Sequence, residues 1–286
     1  MLRSVAEQPF ALLASFGEPV FALVDGARDV RIAELVRASG LPWRSLYEGR
    51  SAKSLANSGP FLVDVGAELE RAAVLLERGW GNAWGVWGTS TAGFAVLRAH
   101  FRRFLMVRDA GDRALYFRFY DPRVLAAFLP LASPEQNAAL FAQVTRFVVE
   151  DDEDPSLSCV FFHERDRPGM YVGSLRIDEA QMKALGEHTD RQFVKRAAAF
   201  VGEHLPNTGS ELRPAVRAAV RRARGFGLWS EQHVMVYVIT AATLGWNFDR
   251  RHQDARAVLA SRDLKASWKA EWLTRWARRA AEAARG

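Results

Sequence analysis

The sequence predicts an α/β or α+β chain: an N-terminal mixed β-sheet lobe flanked by helices, followed by a mainly α-helical C-terminal lobe. Three observations lead there. Short β-rich runs alternate with amphipathic stretches through the first half, long helical stretches fill the second, and the texture changes at an acidic run beginning at Glu150. These place the lobes at residues 1–155 and 156–286.

In chain order, Val20-Phe21-Ala22-Leu23-Val24-Asp25 is a buried-strand pattern that ends on a polar residue and Gly26. Asp29 is placed to cap a helix with Ile32, Leu35 and Val36 inward, stopped by Gly40 and Pro42. Trp43 to Tyr47 reads as a strand turned by Glu48-Gly49, and Phe61 to Val65 as another. Glu68 to Arg78 has helical spacing and ends at Gly79. Ala83 to Trp87 enters a strand, and a Ser/Thr-capped helix follows from Thr91 to Arg102. Phe104–Arg108 and Ala114–Phe119 flank Ala110-Gly111-Asp112 as an antiparallel hairpin. Asp121-Pro122 and Ser133-Pro134-Glu135 each open a helix, with proline where its missing N–H costs nothing. The run Glu150 to Pro155 reads as a solvated loop, since it lacks the spacing and glycine of a calcium loop. After β-like pieces at Ser158–Phe162 and Met170–Leu175, helices run over Asp178–Leu205, Glu211–Arg224, Ser230–Leu244 and on to Ala284. A break is expected at Pro206-Asn207-Thr208-Gly209.

Composition narrows the function classes. With 49% hydrophobic and 25% charged residues the chain is foldable and not intrinsically disordered. No apolar run reaches the ~20 residues of a membrane span, so stable membrane insertion is not expected. Met1 to Pro9 lacks a secretory leader pattern, so a cytoplasmic protein is expected. The single cysteine, Cys159, excludes an internal disulfide framework and a multi-cysteine zinc site. The net charge of +6 is unevenly held: residues 1–155 carry 17 Lys and Arg against 19 Asp and Glu, residues 156–286 carry 22 against 14.

The candidate chemistry is sparse. Gly88-Thr89-Ser90-Thr91-Ala92 has the strand–turn–helix setting of a nucleophile elbow, which offers a hydrolase reading on Ser90, but Ala92 stands where the second glycine belongs. Ser90 and Thr91 are more simply read as helix caps. Gly79-Trp80-Gly81-Asn82-Ala83-Trp84-Gly85 runs from helix into strand, opposite to a phosphate loop, and reads as turn glycines beside Trp80 and Trp84. His100, His163, His188, His204, His233 and His252 include no i, i+4 pair, so no metal is expected. Asp25, Arg103, Arg118, Asp121 and Arg123 are a candidate charged cluster at strand ends, able to bind an anion or to fasten loops.

Trp268, Trp272 and Trp276 fall four apart on one face of the last helix, with Lys265, Lys269, Arg275, Arg278 and Arg279 around them. That face is open to three readings: core, a partner-docking surface anchored by the tryptophans with Arg275 and Arg279, or a membrane-surface helix. The basic half could serve a nucleic-acid-binding module, but no groove-reading fold or stacking platform is recognisable and no nucleic acid is expected.

An ordered set of motifs spans Pro19 to Glu150: Phe21 to Arg28, Ser45-Leu46-Tyr47-Glu48-Gly49, Pro60-Phe61-Leu62-Val63, Gly79 to Gly85, His100 to Phe104, and Phe117 to Leu125. In order and spacing they resemble the type VI secretion effector adaptor or chaperone family, known as domain of unknown function 4123. The resemblance implies a non-catalytic protein of the bacterial cytoplasm, without cofactor, that holds a toxic effector and helps load it onto the VgrG spike. It also implies that Asp25, Gly26, Tyr47, Trp80, Gly81, Trp84, Arg103, Arg118, Asp121, Pro122 and Arg123 are mainly architectural. The second lobe is then the expected place for cargo choice.

Overall fold

A computed structural model describes residues 2–152, 154–162, 175–205 and 212–283. The elements in chain order begin with β1 (Leu2–Val5), α1 (Pro9–Ser15), β2 (Val20–Asp25), α2 (Ile32–Ala38), β3 (Trp43–Ser45), α3 (Gly49–Ser54) and β4 (Pro60–Gly66). A 3-10 turn at Leu69–Ala72 leads into α4 (Ala73–Gly79), then β5 (Gly85–Thr89), α5 (Phe94–Arg102), β6 (Met106–Asp109) and β7 (Ala114–Tyr116). Next come α6 (Pro122–Phe128), a 3-10 turn at Leu129–Leu131, α7 (Pro134–Leu140), β8 (Arg146–Glu150), β9 (Ser158–Phe162) and β10 (Arg176–Ile177). The helices α8 (Glu179–His204), α9 (Leu212–Gly225), α10 (Glu231–Leu244), α11 (Phe248–Arg251), α12 (Gln253–Ala260) and α13 (Ala266–Ala283) complete it. The chain divides into two compact units, residues 1–186 and 187–286.

The first unit is built on a seven-stranded sheet of order β1-β9-β8-β5-β2-β4-β3, in which every pairing is antiparallel. Mixed pairing is confined to a three-stranded sheet, β10-β6-β7, where β10 runs parallel to β6. The large sheet is covered on both faces. Phe21 and Leu23 of β2 pack with Phe101 of α5, Phe128 of α6 and Phe147 of β8. Val20, Ala22 and Val24 pack on the other face with Leu12 of α1, Ile32 of α2 and Leu76 of α4. This two-sided burial is why β2 reads as an unbroken apolar run instead of an alternation.

The second unit is helical, as expected, around Phe193, Ala197, Val216, Val220, Tyr237, Val238, Phe248, Leu259 and Leu273. Ser230 caps α10 by accepting the His233 N–H, and Gly245 with φ +100° ends it. Among the described residues no helix is long and apolar enough to cross a membrane.

Several local expectations change. The third strand ends at Ser45, leaving Tyr47 in the following loop. Asp29 accepts the Arg31 N–H at 2.9 Å ahead of α2 and does not cap it. The cap of α5 is Gly93, so Ser90 and Thr91 are not its caps. Glu150 is not solvated, since it ends β8 and is buried, whereas Asp151 and Asp152 are half-buried and Asp154 to Ser156 are exposed as a solvated loop should be. Residues 170–174, His163 and the break at residues 206–209 lie outside the described residues.

Candidate functional site

The end of β2 delivers Asp25 to a junction of three loops. Its N–H donates to the Trp84 carbonyl at 2.8 Å, and its Oδ1 accepts the Ala27 N–H at 3.1 Å. Its other oxygen takes the Arg118 guanidinium. Asp25 is only 1% exposed, whereas the Arg118 side chain is 43% exposed and lies 5.9 Å from the Tyr120 ring centre. Gly26 follows because nothing larger fits: a Cβ there would lie 2.6 Å from the Asn57 carbonyl oxygen and 2.7 Å from the Phe61 ring.

Asp121 is the N-cap of α6, and Pro122 occupies the first turn, buried. The Asp121 carboxylate accepts the Arg123 backbone N–H at 3.1 Å and, along one edge of the Arg123 guanidinium, Nε–H at 2.9 Å and Nη2–H at 2.7 Å. Arg28 reaches in from the loop after β2, donating Nη2 to Asp121 Oδ2 and Nε to the Ala83 carbonyl, each at 3.2 Å. Burial pushes the Asp121 carboxyl up to about 6, against the pull of Arg28 and Arg118.

The third carboxylate is Glu150. Its Oε2 accepts the Gly81 N–H at 2.5 Å and its Oε1 the Ala83 N–H at 2.9 Å. Gly81 (φ +81°) and Ala83 (φ +53°) adopt left-handed backbone, and both N–H groups meet this one carboxylate. Burial outweighs those two donors and raises Glu150 to about 7, with the Asp121 charge adding to the rise. Trp80 Nε1–H donates to the Pro155 carbonyl at 3.0 Å, and Trp84 is buried on the α4 side of the sheet.

Motifs up to about 125 residues apart therefore converge on one charged brace, which fastens the loops after β2, α4, β7 and β8. Sequence reasoning found Asp25, Arg118, Asp121 and Arg123 but missed Arg28 and Glu150. Arg28 closes the motif Phe21 to Arg28, which is a usable signal; Glu150 is hidden at the head of an acidic run. Arg103 is elsewhere, exposed at the end of α5. Tyr47 forms a separate chain of hydroxyls, with Tyr116 at 2.6 Å and Tyr116 with Tyr120 at 2.9 Å. Burial raises the Tyr116 and Tyr120 hydroxyls far above the usual phenol range, so both stay neutral.

Ser90 Oγ donates to the Gln143 carbonyl at 2.5 Å and accepts the Ala92 N–H at 3.0 Å. His100 Nε2–H donates to the Leu140 carbonyl at 2.9 Å, and burial lowers its pKa to about 4. Among the described residues no group of three His, Cys, Asp or Glu side chains is placed to hold a metal ion.

The tryptophan face of α13 is graded. Trp276 is 9% exposed, packs near Phe248 in the core of the second unit and donates Nε1–H to Asp254 at 2.6 Å. Trp272 stacks on it at 5.7 Å and is half-buried, and Trp268 is 41% exposed. Arg275 and Arg279 are exposed. Lys269, expected on the polar side, is buried, with Nζ donating to the Phe226 and Leu259 carbonyls at 2.9 and 2.8 Å.

Comparison with curated proteins and with solved structures finds no match. Comparison with family models does: residues 20–139, from the first residue of β2 to the penultimate residue of α7, are similar to a domain of unknown function (DUF4123). The matched span holds Asp25, Arg28, Arg118, Asp121 and Arg123 and stops short of Glu150.

Proposed function

We propose that this chain is a non-catalytic adaptor or chaperone of the bacterial cytoplasm, which binds a type VI secretion effector and promotes its loading onto the VgrG spike. The observation that carries this reading is the convergence of the resembling motifs on the Asp25–Arg118 and Arg28–Asp121–Arg123 brace. The match over residues 20–139 supports the same resemblance. The brace suits a scaffold, because its carboxylates are engaged by internal donors and hold four loops in place. Ser90 gives its hydroxyl proton to a carbonyl, and among the described residues no side-chain base is hydrogen-bonded to it as a nucleophile needs. In this reading the first unit is the common frame, and the basic helical unit steers acidic surface of the partner into place.

The test is co-purification of the tagged chain with the effector and spike encoded beside it. Capture of the effector, followed by transfer to VgrG, is the expected result. A folded chain that captures neither overturns the reading.

A further inference from the structure

The helical unit carries a groove whose charge its own contacts leave unbalanced. It lies between α8 and α9 and encloses about 290 Å³. Arg217, Arg221 and Arg224 form one stripe along α9, at i, i+4 and i+7, and Arg191 faces them from α8. Arg224 pairs with Asp190 of α8, and its Nε–H is buried with no hydrogen-bond partner among the described residues. Arg191, Arg217 and Arg221 are exposed and make no ion pair among the described residues. Like charges one turn apart on a helix repel and lower its stability unless something answers them. The apolar Val194 and Val220 also line the groove.

We infer that this groove binds an acidic amphipathic helix of a protein partner. Two carboxylates one turn apart on that helix match Arg217 and Arg221, and an apolar side chain between them covers Val194 and Val220. A nucleic-acid strand fits less well, because the groove is lined by Val194 and Val220 and by no aromatic side chain on which bases could stack. That the partner is the secreted cargo rests on the adaptor reading; the preference for an acidic helix rests on the groove alone.

Fluorescence anisotropy with the full chain tests the groove. The probe is a labelled peptide of about 18 residues, five helical turns, with Glu at i and i+4 and Leu at i+3 and i+7 beside them on the same face. Saturable binding is expected, weakened by salt and reduced roughly tenfold or more in Arg217→Glu/Arg221→Glu. Arg191→Glu, on the opposite wall, should weaken it as well, and circular dichroism should show all variants folded. No saturable binding, equal binding of a lysine-for-glutamate twin, or variants that bind as tightly as the parent would overturn the inference. So would an oligonucleotide whose binding is stronger than the peptide's and is lost in the same variants. If Arg217→Glu/Arg221→Glu loses the peptide yet still captures the effector, the assignment of the groove to the cargo fails while the adaptor reading stands.

Discussion

Both units enclose charge, Asp25 with Arg118 in the first and Asp249 with Arg222 in the second, but they differ in the charge left over. Residues 1–186 carry 21 Lys and Arg against 23 Asp and Glu, and there Asp25 and Asp121 are buried and arginines come to them. Residues 187–286 carry 18 against 10, and there arginines line a groove in excess of their carboxylates. Equal formal charges thus have unequal meaning. A charge enclosed by the fold is a structural part, with a stability cost when its partner goes; a charge left over is free to meet something else.

The largest effects should come from the enclosed groups. Arg118→Ala strands the Asp25 carboxylate, 1% exposed, and should cost about 3–5 kcal/mol in urea unfolding. Asp25→Ala leaves Arg118 with a route to water and should cost less, about 1–2 kcal/mol. Equal losses would break the argument that burial of the acid, not the pair itself, sets the cost. The helical unit offers the matching contrast in apolar form. Trp276→Ala should cost about 3–5 kcal/mol as a core truncation that also frees Asp254. Trp268→Ala should fall within about 0.5 kcal/mol. A large loss at Trp268 would show that the whole tryptophan face is core.

The sheet unit should also respond to pH in two opposed windows. His100, with its pKa lowered to about 4, contributes stability that is present above about 6.5 and lost as pH falls toward 4. Glu150, raised to about 7, acts in reverse: its contribution is present below about 4.5 and lost as pH rises through 7. Each swing is of order 3 kcal/mol. Between pH 6.5 and 4, His100→Phe should therefore lose less stability than the parent chain. Between pH 4.5 and 7.5, Glu150→Gln should lose less. Thermal melts across pH check both, and a Glu150→Gln profile parallel to the parent's would remove that carboxyl as a source of the pH response.

What could be read in advance follows the range of the forces involved. The β2 run, the Asp121 cap with Pro122 and the helix opened by Ser133-Pro134 are set by neighbours a few residues away, and all were legible; the capping-box partner of Ser133 is Gln136, one residue beyond the Glu135 that was read. The order β1-β9-β8-β5-β2-β4-β3 was not, because it pairs Leu2 with Phe161 and Trp87 with Val148. Glu150 escaped for the same reason: its donors, Gly81 and Ala83, are 67 to 69 residues away. Four-residue spacing put Trp268, Trp272 and Trp276 on one face correctly. It could not grade them, since Phe248 of α11 and Asp254 of α12 are what bury Trp276.

The smallest expected effect bears on the surplus itself. Arg275 and Arg279 are exposed on α13, so changing either to Ala should shift stability by no more than about 0.5 kcal/mol. Their long side chains still cover some helix surface, which sets the residual cost. If each is neutral to folding while effector capture weakens and becomes less sensitive to salt, the surplus charge of the helical unit serves a partner. If either costs more than about 1 kcal/mol, that arginine belongs with the enclosed charges of the first unit, and the contrast between the two units narrows to the groove of α8 and α9.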